Sequence, residues 1–502
     1  MVKKELKSLN PNKSLGPDEI HPTMLKELAE YIAIPLHKIM TKSFREGSLP
    51  DEWKVAHVSP IYKKGNKNLA ENYRPVSLTS IACRQMERIM RDQIMKHLMD
   101  EKLLSNKQHG FMGKRSTITQ LLCYLDKCAD SISNNKVVDV IYFDFAKAFD
   151  SVPHRRLLKK LDAYGIKGEE LQWIKSFLSD RYQCVKVNGE ISKRCKVQSG
   201  VPQGSVLGPF LFVIYINDLP EVTEAEMYLF ADDTKLFKEI NSEQDAIRLQ
   251  KDIDAMENWS KNWLLKFHPN KCHVLTLGKF WNIIHAHPYA IGGSLLEHVD
   301  QEKDLGVIID SELTFEEHIF SKIKKANSIV GLISRSFEYL SPEMFRTLYI
   351  AFVRPHLEYA QAVWCPRLIK HINAIEGVQR RATRLVSRYK DYPYEDRLRL
   401  LKLPSLKTRR QIGDMVEVYK HLHTYDKLAT SKKFVLRKRP QRQHDHELQR
   451  NFADDGLRGY QTNSLFYRSI DQWNGLNAHV VAAKSVESFK ERLLDKWKKK
   501  TL

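Results

Sequence analysis

Two adjacent carboxylates stand in the stretch YLFADDTKLF, residues 228–237, where Asp232 and Asp233 lie between two apolar runs. The runs predict two short strands, and the Ala-Asp-Asp step predicts the turn between them. Two unit charges about 4 Å apart repel by roughly 4 kcal/mol at an effective dielectric constant near 20. One interpretation is a solvated turn, in which Asp is a common residue. The other is a site that binds a cation.

A third carboxylate, Asp144, follows the nearly continuous apolar stretch VVDVIYFDF at 137–145, which predicts a buried strand. A carboxylate at that place is costly unless a partner neutralises it, although a capping or other structural role is an alternative. The elements between Asp144 and Asp232 can bring the two side chains together. Oxygen ligands with open positions favour Mg²⁺, so the sequence predicts a divalent-cation site.

The elements that must position these residues follow from periodicity. Helices are predicted over 80–103, 116–134, 155–180 and 242–263, and strands over 55–62, 272–277 and 304–310. The stretch RYQCVKVNG at 181–189 predicts a hairpin, because alternating residues end in Asn-Gly. From residue 311 onward the pattern is mainly helical and rich in Lys and Arg.

Composition indicates a globular protein with a polyanionic partner. The chain has 502 residues, of which 42% are apolar, enough for roughly three domains of about 150 residues each. The formal net charge is +20, and +16 of it falls in residues 311–502. A surplus of this size usually indicates nucleic acid as the partner. Charged, solvated faces of amphipathic helices are the alternative.

The sequence also excludes several classes of protein. Its seven Cys are scattered without a CxxC pair, so neither a zinc knuckle nor a disulfide framework is predicted, in keeping with a reducing compartment. We find no secretory signal at the N-terminus, and the longest apolar run, FLFVIYI at 210–216, is too short to span a bilayer. We therefore expect an intracellular protein, nuclear or cytoplasmic, without a membrane partner. The cluster KKFVLRKRPQR at 432–442 has the pattern of a nuclear localisation signal.

Many motifs, in order, resemble one known family. YFDFAKAFD, SGVPQGSVLGP, LFADDTKLF and HPNKCHVLTLG resemble the palm motifs of reverse transcriptases. Upstream, GPDEIHP, WKVAHVSPIYKKG, NYRPVSL and QHGFMGKRST resemble the fingers of non-LTR, LINE-type retrotransposon enzymes. LYIAFVRPHLEYAQAVWCP and NSLFYRSIDQWNGLNAHVVAAKSVESFKERL are similar to the thumb and the C-terminal tail of the jockey-like and chicken-repeat-like elements. The resemblance thus covers nearly the whole chain.

The resemblance implies an α+β fold with the right-hand architecture of polymerases. An N-terminal helical extension would occupy 1–43, and fingers and palm, with an antiparallel palm sheet, would occupy 44–310. A helical thumb would follow over 311–400, and a basic helical C-terminal region over 401–502.

The same resemblance implies roles around the carboxylates. Asp144 and Asp232 would ligate two Mg²⁺ ions, with Mn²⁺ possible, and Asp233 would complete the acidic cluster. One ion would lower the pKa of a primer 3′-OH, and the other would hold the triphosphate and the leaving pyrophosphate. The backbone carbonyl of Phe145 would be a further ligand. Phe149 would exclude a ribose 2′-OH and so select dNTPs.

Further residues match nucleotide-binding positions of the family. Lys63 or Lys64, and Arg74, match positions that grip the triphosphate, where Arg engages phosphate bidentately. Gln203 and Gly204 belong to the motif that approaches the nucleotide and the template, where glycine permits close backbone contact.

Lys271 matches a lysine proposed in the family to donate a proton to the leaving pyrophosphate. Plainer interpretations stay open for all these residues. They are a surface lysine for Lys271, a core ring for Phe149, a solvated loop for the basic residues and an ordinary turn for Gln203 and Gly204.

The chain departs from the family at two places. EKDLG carries Asp304 where an aromatic residue is usual, in the segment whose hairpin would hold the primer end, and this puts primer positioning in question. Full-length elements of this group carry an endonuclease domain before the polymerase. We expect none here, so nicking of target DNA would come from elsewhere.

The sequence therefore predicts an RNA-directed DNA polymerase of a non-LTR retrotransposon. Its partners would be an RNA template, a DNA primer or target, and dNTPs, and its oligomeric state is left open. One alternative is a catalytically silent remnant that acts only as an RNA-binding protein. A reverse transcriptase of the intron-maturase type is another, against which the resemblance of the tail argues.

Overall fold

A computed structural model describes residues 1–278, 287–424, 433–437, 444–449 and 460–501. These residues form a mixed fold of helices and sheets, which confirms the predicted α+β class. The strands are β1 (Val55–Tyr62), β2 (Tyr73–Leu78), β3 (Val137–Phe143), β4 (Tyr182–Val187), β5 (Glu190–Ile191), β6 (Cys195–Lys196), β7 (Glu226–Phe230), β8 (Asp233–Ile240), β9 (His273–Leu277), β10 (Ala290–Ile291), β11 (Ser294–Leu295), β12 (Glu297–Val299), β13 (Gln301–Asp304) and β14 (Val307–Asp310).

Helices precede, separate and follow the strands. In the first part of the chain they are α1 (Val2–Lys7), α2 (Pro22–Glu27), α3 (Ala29–Arg45), α4 (Ile81–Asp100), α5 (Thr117–Ser133), α6 (His154–Ala163), α7 (Gly168–Leu178), α8 (Leu207–Tyr215) and α9 (Glu243–Trp263). After β14 come α10 (Glu316–Ser336), α11 (Pro342–Leu348), α12 (Arg354–Glu358), α13 (Gln361–Trp364), α14 (Ile369–Ala382), α15 (Tyr394–Leu400), α16 (Leu406–His423), α17 (Leu465–Arg468), α18 (Ile470–Asn474), α19 (Ala478–Val481) and α20 (Val486–Thr501). We call the residues after β14 the C-terminal helical region.

The central sheet has the strand order β12-β9-β3-β8-β7. Strand β3 pairs antiparallel with both β8 and β9, so it lies in the interior of the sheet. Six of its seven residues are buried, as its nearly continuous apolar sequence predicts for a strand covered on both faces. The prediction of a buried strand ending just before Asp144 is confirmed.

Two apolar clusters cover the two faces of the central sheet, because successive side chains of a strand point to opposite faces. Ile141 and Leu236 belong to one cluster, which includes residues of α4, α6, α8 and α9. Val140 and Phe237 belong to the other, which includes residues of α5 and of the C-terminal helical region. The sheet is thereby fixed from both sides.

A second sheet, the outer sheet, has the order β2-β1-β4-β5, with β6 paired to β4. Strands β1 and β2 form an antiparallel hairpin, and β4 lies parallel to β1. In contrast to β3, the ends of β1 and β2 that face their connection are exposed. The predicted Asn-Gly turn joins β4 to β5, where Gly189 has a φ of 91°.

Two sequence predictions are wrong in detail. The helix expected over 155–180 is two helices, α6 and α7, because Gly165 takes a φ of 85° and ends the first of them. The strand expected over 304–310 is instead the hairpin β13–β14, which turns at Leu305 and Gly306 with φ values of 43° and 85°.

In the part of the chain that the structure describes, no helix is long and apolar enough to cross a membrane. The seven cysteines all lie within this part and are free. The basic cluster predicted at 432–442 lies mostly outside the described residues.

Candidate active site

The three candidate carboxylates lie at neighbouring positions at one end of the central sheet. The last pair between β3 and β8 joins Phe143 to Thr234, and one further step of this antiparallel ladder brings Asp144 opposite Asp233. Asp232 precedes Asp233 in the tight turn from β7, in which Ala231 has a φ of 53°. The register of two interior strands thus brings together residues that are far apart in sequence.

A separate segment holds this turn from outside. The side-chain oxygen Oε1 of Gln108 accepts hydrogen bonds from the amides of Gly110 (2.7 Å) and Ala231 (2.9 Å). Gln108 also forms a parallel bridge with Leu229 of β7, and its side chain is buried. A Cβ on Gly110 would lie 2.3 Å from the amide nitrogen of Ala231. Only glycine at 110 allows this close approach.

Burial and mutual repulsion raise the affinity of these carboxylates for protons. Burial, then the charge of Asp144, raises the pKa of Asp232, while the opposing charges of Arg74 and Lys63 lower it. Burial raises the pKa of Asp233 to about 7, with a further contribution from the charge of Asp232. The site is therefore a place of incompletely compensated negative charge.

Asp144 is less enclosed and has a cationic neighbour. Its side chain is about half exposed, and its Oδ2 lies 3.3 Å from Nζ of Lys271. Its backbone oxygen accepts a hydrogen bond of 2.8 Å from the amide of His268. The short helical turn Pro269–Lys271 follows at once, so this backbone contact brings Lys271 to the carboxylates.

Phe145 contributes its side chain to the core, and its backbone follows that of Asp144 directly. The ring is buried and stacks on Phe267 with centroids 4.5 Å apart. The flanking hydrogen bonds between these segments use the oxygen of Asp144 and the amide of Ala146. In an antiparallel pair of this kind the intervening residue does not bond to the partner strand. The carbonyl of Phe145 is thus left out of this ladder.

Among the described residues, no group of three or more His, Cys, Asp or Glu side chains is arranged to hold a metal ion. Asp144, Asp232 and Asp233 are therefore neighbours and not a closed cage. The donor set still fits Mg²⁺, which is commonly bound by one or two carboxylates, with water and substrate phosphates completing its coordination. The raised pKa values of Asp232 and Asp233 also indicate negative charge that a cation would neutralise.

Two of the three predicted phosphate-gripping residues, Lys63 and Arg74, are near enough to Asp232 for their charges to lower its pKa. Lys63 follows β1 directly, and Arg74 is the second residue of β2, where it pairs with Ile61. Both are exposed, and both act electrostatically on Asp232. Lys64 is exposed further along the same connection. The structure brings Lys63 and Arg74 toward the acidic site and leaves Lys64 in solvent.

Phe149 lies beyond Asp144 on the short turn that follows β3. Its ring is partly buried and stacks on Phe212 of α8, with centroids 4.5 Å apart. Its backbone oxygen accepts a hydrogen bond of 2.7 Å from the amide of Val201. The ring thus belongs in part to the core, and this packing also fixes its orientation.

Gln203 and Gly204 join the outer sheet to the residues after β3. The oxygen of Gln203 accepts a hydrogen bond of 2.6 Å from the amide of Ser77 in β2, and its Nε2 donates to Oδ1 of Asp150 at 3.1 Å. Gly204 has a φ of 114°, and a Cβ there would lie 2.4 Å from the oxygen of Ser77. The loop needs glycine for both reasons.

Sequence reasoning missed several residues that hold this site. In the sequence, Gln108 and Gly110 are recognisable only as part of the motif QHGFMGKRST. Their contact with the turn between β7 and β8 depends on pairing between distant segments. Glu87 of α4 accepts hydrogen bonds from the amides of Val206 and Leu207, at the start of α8. A carboxylate on the apolar face of α4 was the signal that could have identified it, because such a group needs a partner.

The comparisons with known proteins define the class. Residues 61–340 match the family described as "Reverse transcriptase (RNA-dependent DNA polymerase)". The match includes the central sheet with its carboxylates, the outer sheet except for the first six residues of β1, and the first helix after β14. The chain belongs to the reverse transcriptase family.

The relatives are proteins of transposons and other mobile elements. The chain is 29% identical over 413 residues to the probable RNA-directed DNA polymerase from transposon BS of Drosophila melanogaster, covering 78% of this chain and 44% of that protein. It is 30% identical over 404 residues to the RNA-directed DNA polymerase from mobile element jockey of Drosophila funebris, covering 77% and 43%. Each of these alignments spans less than half the length of the relative.

A more distant similarity points to the same group. The Pol polyprotein from the type-1 retrotransposable element R2 of Nasonia vitripennis is 29% identical over 320 residues, which cover 59% of this chain and 30% of that protein. The prediction of a non-LTR retrotransposon reverse transcriptase is confirmed at the level of the family.

Proposed function

We propose that this chain is the RNA-directed DNA polymerase of a non-LTR retrotransposon, which extends a primer 3′-OH on an RNA template with dNTPs. The observation that carries the proposal is the acidic end of the central sheet. There Asp144 stands opposite Asp233, with Asp232 in the adjoining turn. A chain of the reverse transcriptase family with this arrangement has the carboxylates that phosphoryl transfer needs.

The proposed layout is that of a right hand. The outer and central sheets within 44–310 would be the fingers and the palm, 311–400 the thumb and 401–502 a basic C-terminal region. Two of these boundaries coincide with the ends of elements, since β14 ends at Asp310 and α15 at Leu400. The N-terminal extension, 1–43, would share α3 with the fingers, because this helix continues to Arg45.

Two Mg²⁺ ions, or Mn²⁺, would be held by Asp144, Asp232 and Asp233, with the carbonyl of Phe145 as a further ligand. When bound, these ions supply a lowered pKa at the primer 3′-OH and charge neutralisation at the pyrophosphate. The protein's own contribution is to hold mutually repelling carboxylates at fixed places. Strand register and the Gln108 contact with the turn support this part of the proposal.

Basic residues on two sides would bind and neutralise the triphosphate. Lys63, Lys64 and Arg74 would contact its oxygens from the fingers, and their exposure leaves them free to adjust to a ligand. Lys271 would donate a proton from Nζ to the leaving pyrophosphate. Its distance of 3.3 Å from Asp144 is consistent with that role, because it puts the ammonium group beside the site.

Two further groups would select and orient the nucleotide. Phe149, oriented by its stacking on Phe212, would exclude a ribose 2′-OH and so favour dNTPs. The loop at Gln203 and Gly204 would let the backbone approach the nucleotide and the template. Its hydrogen bonds to Ser77 and Asp150 support a fixed position for this loop.

The positive charge fits the proposed partners. The excess of +16 in residues 311–502 would contact the phosphates of the RNA template and of the RNA–DNA hybrid. Binding of this kind weakens steeply with salt, because it releases counterions from the nucleic acid.

Primer extension on an oligo(dT)-primed RNA tests the proposal. We expect the wild-type protein to incorporate dNTPs in the presence of Mg²⁺. Loss of several kcal/mol of charge stabilisation should make Asp232→Ala slower by about a thousandfold or more. The matched control is Asp162→Ala, which removes an exposed carboxylate from α6 and should leave the rate unchanged.

Two outcomes would overturn the polymerase proposal. One is folded wild-type protein that binds RNA with a steep salt dependence but incorporates no dNTP, which supports the RNA-binding remnant instead. The other is equal incorporation by the wild type and by Asp232→Ala, because the acidic site would then have no part in the reaction.

A further inference from the structure

A buried ion pair joins the strand of the acidic site to a separate hairpin. Lys235 of β8 is only 2% exposed, and Asp304, the last residue of β13, is only 6% exposed. Nζ of Lys235 donates to Oδ2 of Asp304. Asp304 supplies the carboxylate of the pair. Its charge is balanced by a lysine on another element.

The pair is completed by groups from α5. Nζ of Lys235 also donates to Oε1 of Gln120 at 3.1 Å, and it lies 4.2 Å from the centroid of the Tyr124 ring. Both partners suit a cation, one as an acceptor and the other through its ring face. Three elements, β8, β13 and α5, therefore meet at a single ammonium group.

Stability alone does not explain such a pair. Two charges taken out of water lose hydration that their attraction only partly replaces, and apolar residues of similar volume are often as stable. An ion pair with further hydrogen bonds has directional requirements, whereas an apolar contact has few. The arrangement at Lys235 is therefore better suited to fixing a geometry than to adding stability.

The geometry concerned is that of the carboxylates and the β13–β14 hairpin. Lys235 lies two residues after Asp233, so the two side chains share one face of β8. Asp304 directly precedes the turn at Leu305 and Gly306. The charge of Asp304 also contributes to the raised pKa of Asp233, so the two carboxylates are within electrostatic range of each other.

The C-terminal helical region holds the other side of that turn. The hydroxyl of Tyr359 donates to the oxygen of Leu305 at 2.7 Å, and Nζ of Lys322 donates to the oxygen of Gly306 at 3.1 Å. The turn is thus attached at its root to β8 and at its tip to residues that follow β14.

We propose that Lys235 and Asp304 are positioning residues, which fix the β13–β14 hairpin to strand β8 and thereby hold Asp232 and Asp233 in the geometry that the reaction needs. This inference rests on the proposed polymerase function. Neither residue contacts a reacting atom; both act through the strands that they join.

Steady-state kinetics of primer extension test this inference with two variants. Asp304→Asn keeps the volume of the side chain and removes its charge. The double variant Lys235→Met with Asp304→Leu replaces the pair by apolar groups and should retain the wild-type thermal midpoint. A displacement of reacting groups by about 1 Å costs on the order of a hundredfold in rate. We therefore expect kcat to fall by about a hundredfold in both variants, with the KM for dNTP changed less than about threefold.

The matched control is a second ion pair, in which the buried Lys160 meets the partly buried Asp218 and lies over the rings of Tyr215, Trp259 and Trp263. Asp218→Asn removes the partner of a buried lysine, as Asp304→Asn does. We expect it to lower the thermal midpoint and to leave kcat per folded molecule unchanged. Wild-type kcat in the double variant, or equal losses in Asp304→Asn and Asp218→Asn after correction for the folded fraction, would overturn the positioning role alone. An inactive wild-type protein would overturn the polymerase proposal and this inference together.

Discussion

Two hairpins carry charged residues that act on each other at the candidate site, and they are built in opposite ways. The central hairpin, β7–β8, turns within two residues and carries Asp232, which is partly buried, next to the more exposed Asp233. The outer hairpin, β1–β2, has the exposed connection 63–72 and carries exposed cations. Contacts with other segments of the protein hold the carboxylates in place. The cations, in contrast, lie on a loop that is held by a few contacts within itself.

The contacts explain this difference. The central turn is fixed from outside by Gln108 and Gly110. The outer connection is closed mainly on itself, through a bond of 2.8 Å from the amide of Lys63 to the oxygen of Asn72 and one of 2.7 Å from the hydroxyl of Tyr62 to the oxygen of Gly65. Like charges separate unless they are restrained. Exposed cations, by contrast, need no restraint until an anion arrives.

We expect the largest loss of primer-extension rate when the turn between β7 and β8 loses its contact with Gln108 and Gly110. Gly110→Ala puts a Cβ 2.3 Å from the amide nitrogen of Ala231, so the turn with Asp232 must move. A shift of about 1 Å costs on the order of a hundredfold in rate, and we expect primer extension to fall by at least that much.

Gly113→Ala is the matched control, because a Cβ at Gly113 would meet nothing within 4 Å. Thermal unfolding of both variants separates a displaced turn from a misfolded chain. Equal extension rates for Gly110→Ala and the wild type would contradict the idea that the central hairpin depends on this external contact.

A substitution in the outer hairpin should have a smaller effect, and it should change the KM for dNTP more than kcat. Arg74→Ala removes one charge-assisted contact to the triphosphate, worth about 1.5–3 kcal/mol. We expect the KM for dNTP to rise by about tenfold to a hundredfold, with a smaller change in kcat. Lys64→Ala should raise this KM less, because the structure leaves Lys64 in solvent.

Lys38→Ala, on the exposed face of α3, controls for the loss of one positive charge. The two hairpins would not differ in the proposed way if Arg74→Ala lowered kcat and left the KM for dNTP unchanged. That result would mean that Arg74 acts in the transition state only.

The contrast between the hairpins also explains what the sequence could predict. Strand β3 and the β7–β8 hairpin were predictable, because a buried strand and a tight turn leave local apolar and turn signals. The residue types at Asp144, Asp232 and Asp233 are likewise local. The contacts that hold these carboxylates in place are not local, since the contact of Gln108 with Ala231 joins residues more than a hundred positions apart.

The errors have the same physical origin. The stretch 304–310 looks like one strand, but Leu305 takes a φ of 43° because Tyr359 and the ion pair of Asp304 fix the turn around it. The helix predicted over 155–180 is interrupted at a single residue, Gly165. The positive φ of this residue cannot be predicted from the spacing of apolar residues. Periodicity predicts elements, whereas register and turns depend on partners elsewhere in the chain.

The smallest expected effect concerns the charge of the central hairpin itself. The pKa of Asp233 is about 7 in the folded protein and about 3.9 in an unfolded chain. Between these values the folded state binds more protons, so without Mg²⁺ the stability should fall as the pH rises from about 4 to about 7. Asp233 is more than a third exposed, and solvent screening should limit the fall in thermal midpoint to on the order of 1–2 °C.

Thermal unfolding of the wild type and of Asp233→Asn across this pH range, with Asp162→Asn as the control, measures the difference. Asp233→Asn should lack this part of the pH dependence, and Asp162→Asn should keep it. A bound cation favours the ionised carboxylate, so Mg²⁺ should stabilise the wild type more at pH 8 than at pH 5.5. A midpoint that Mg²⁺ raises equally at both pH values, or equally in Asp233→Asn, would mean that the cation is held elsewhere. The restraint on the central turn would then serve some purpose other than metal binding.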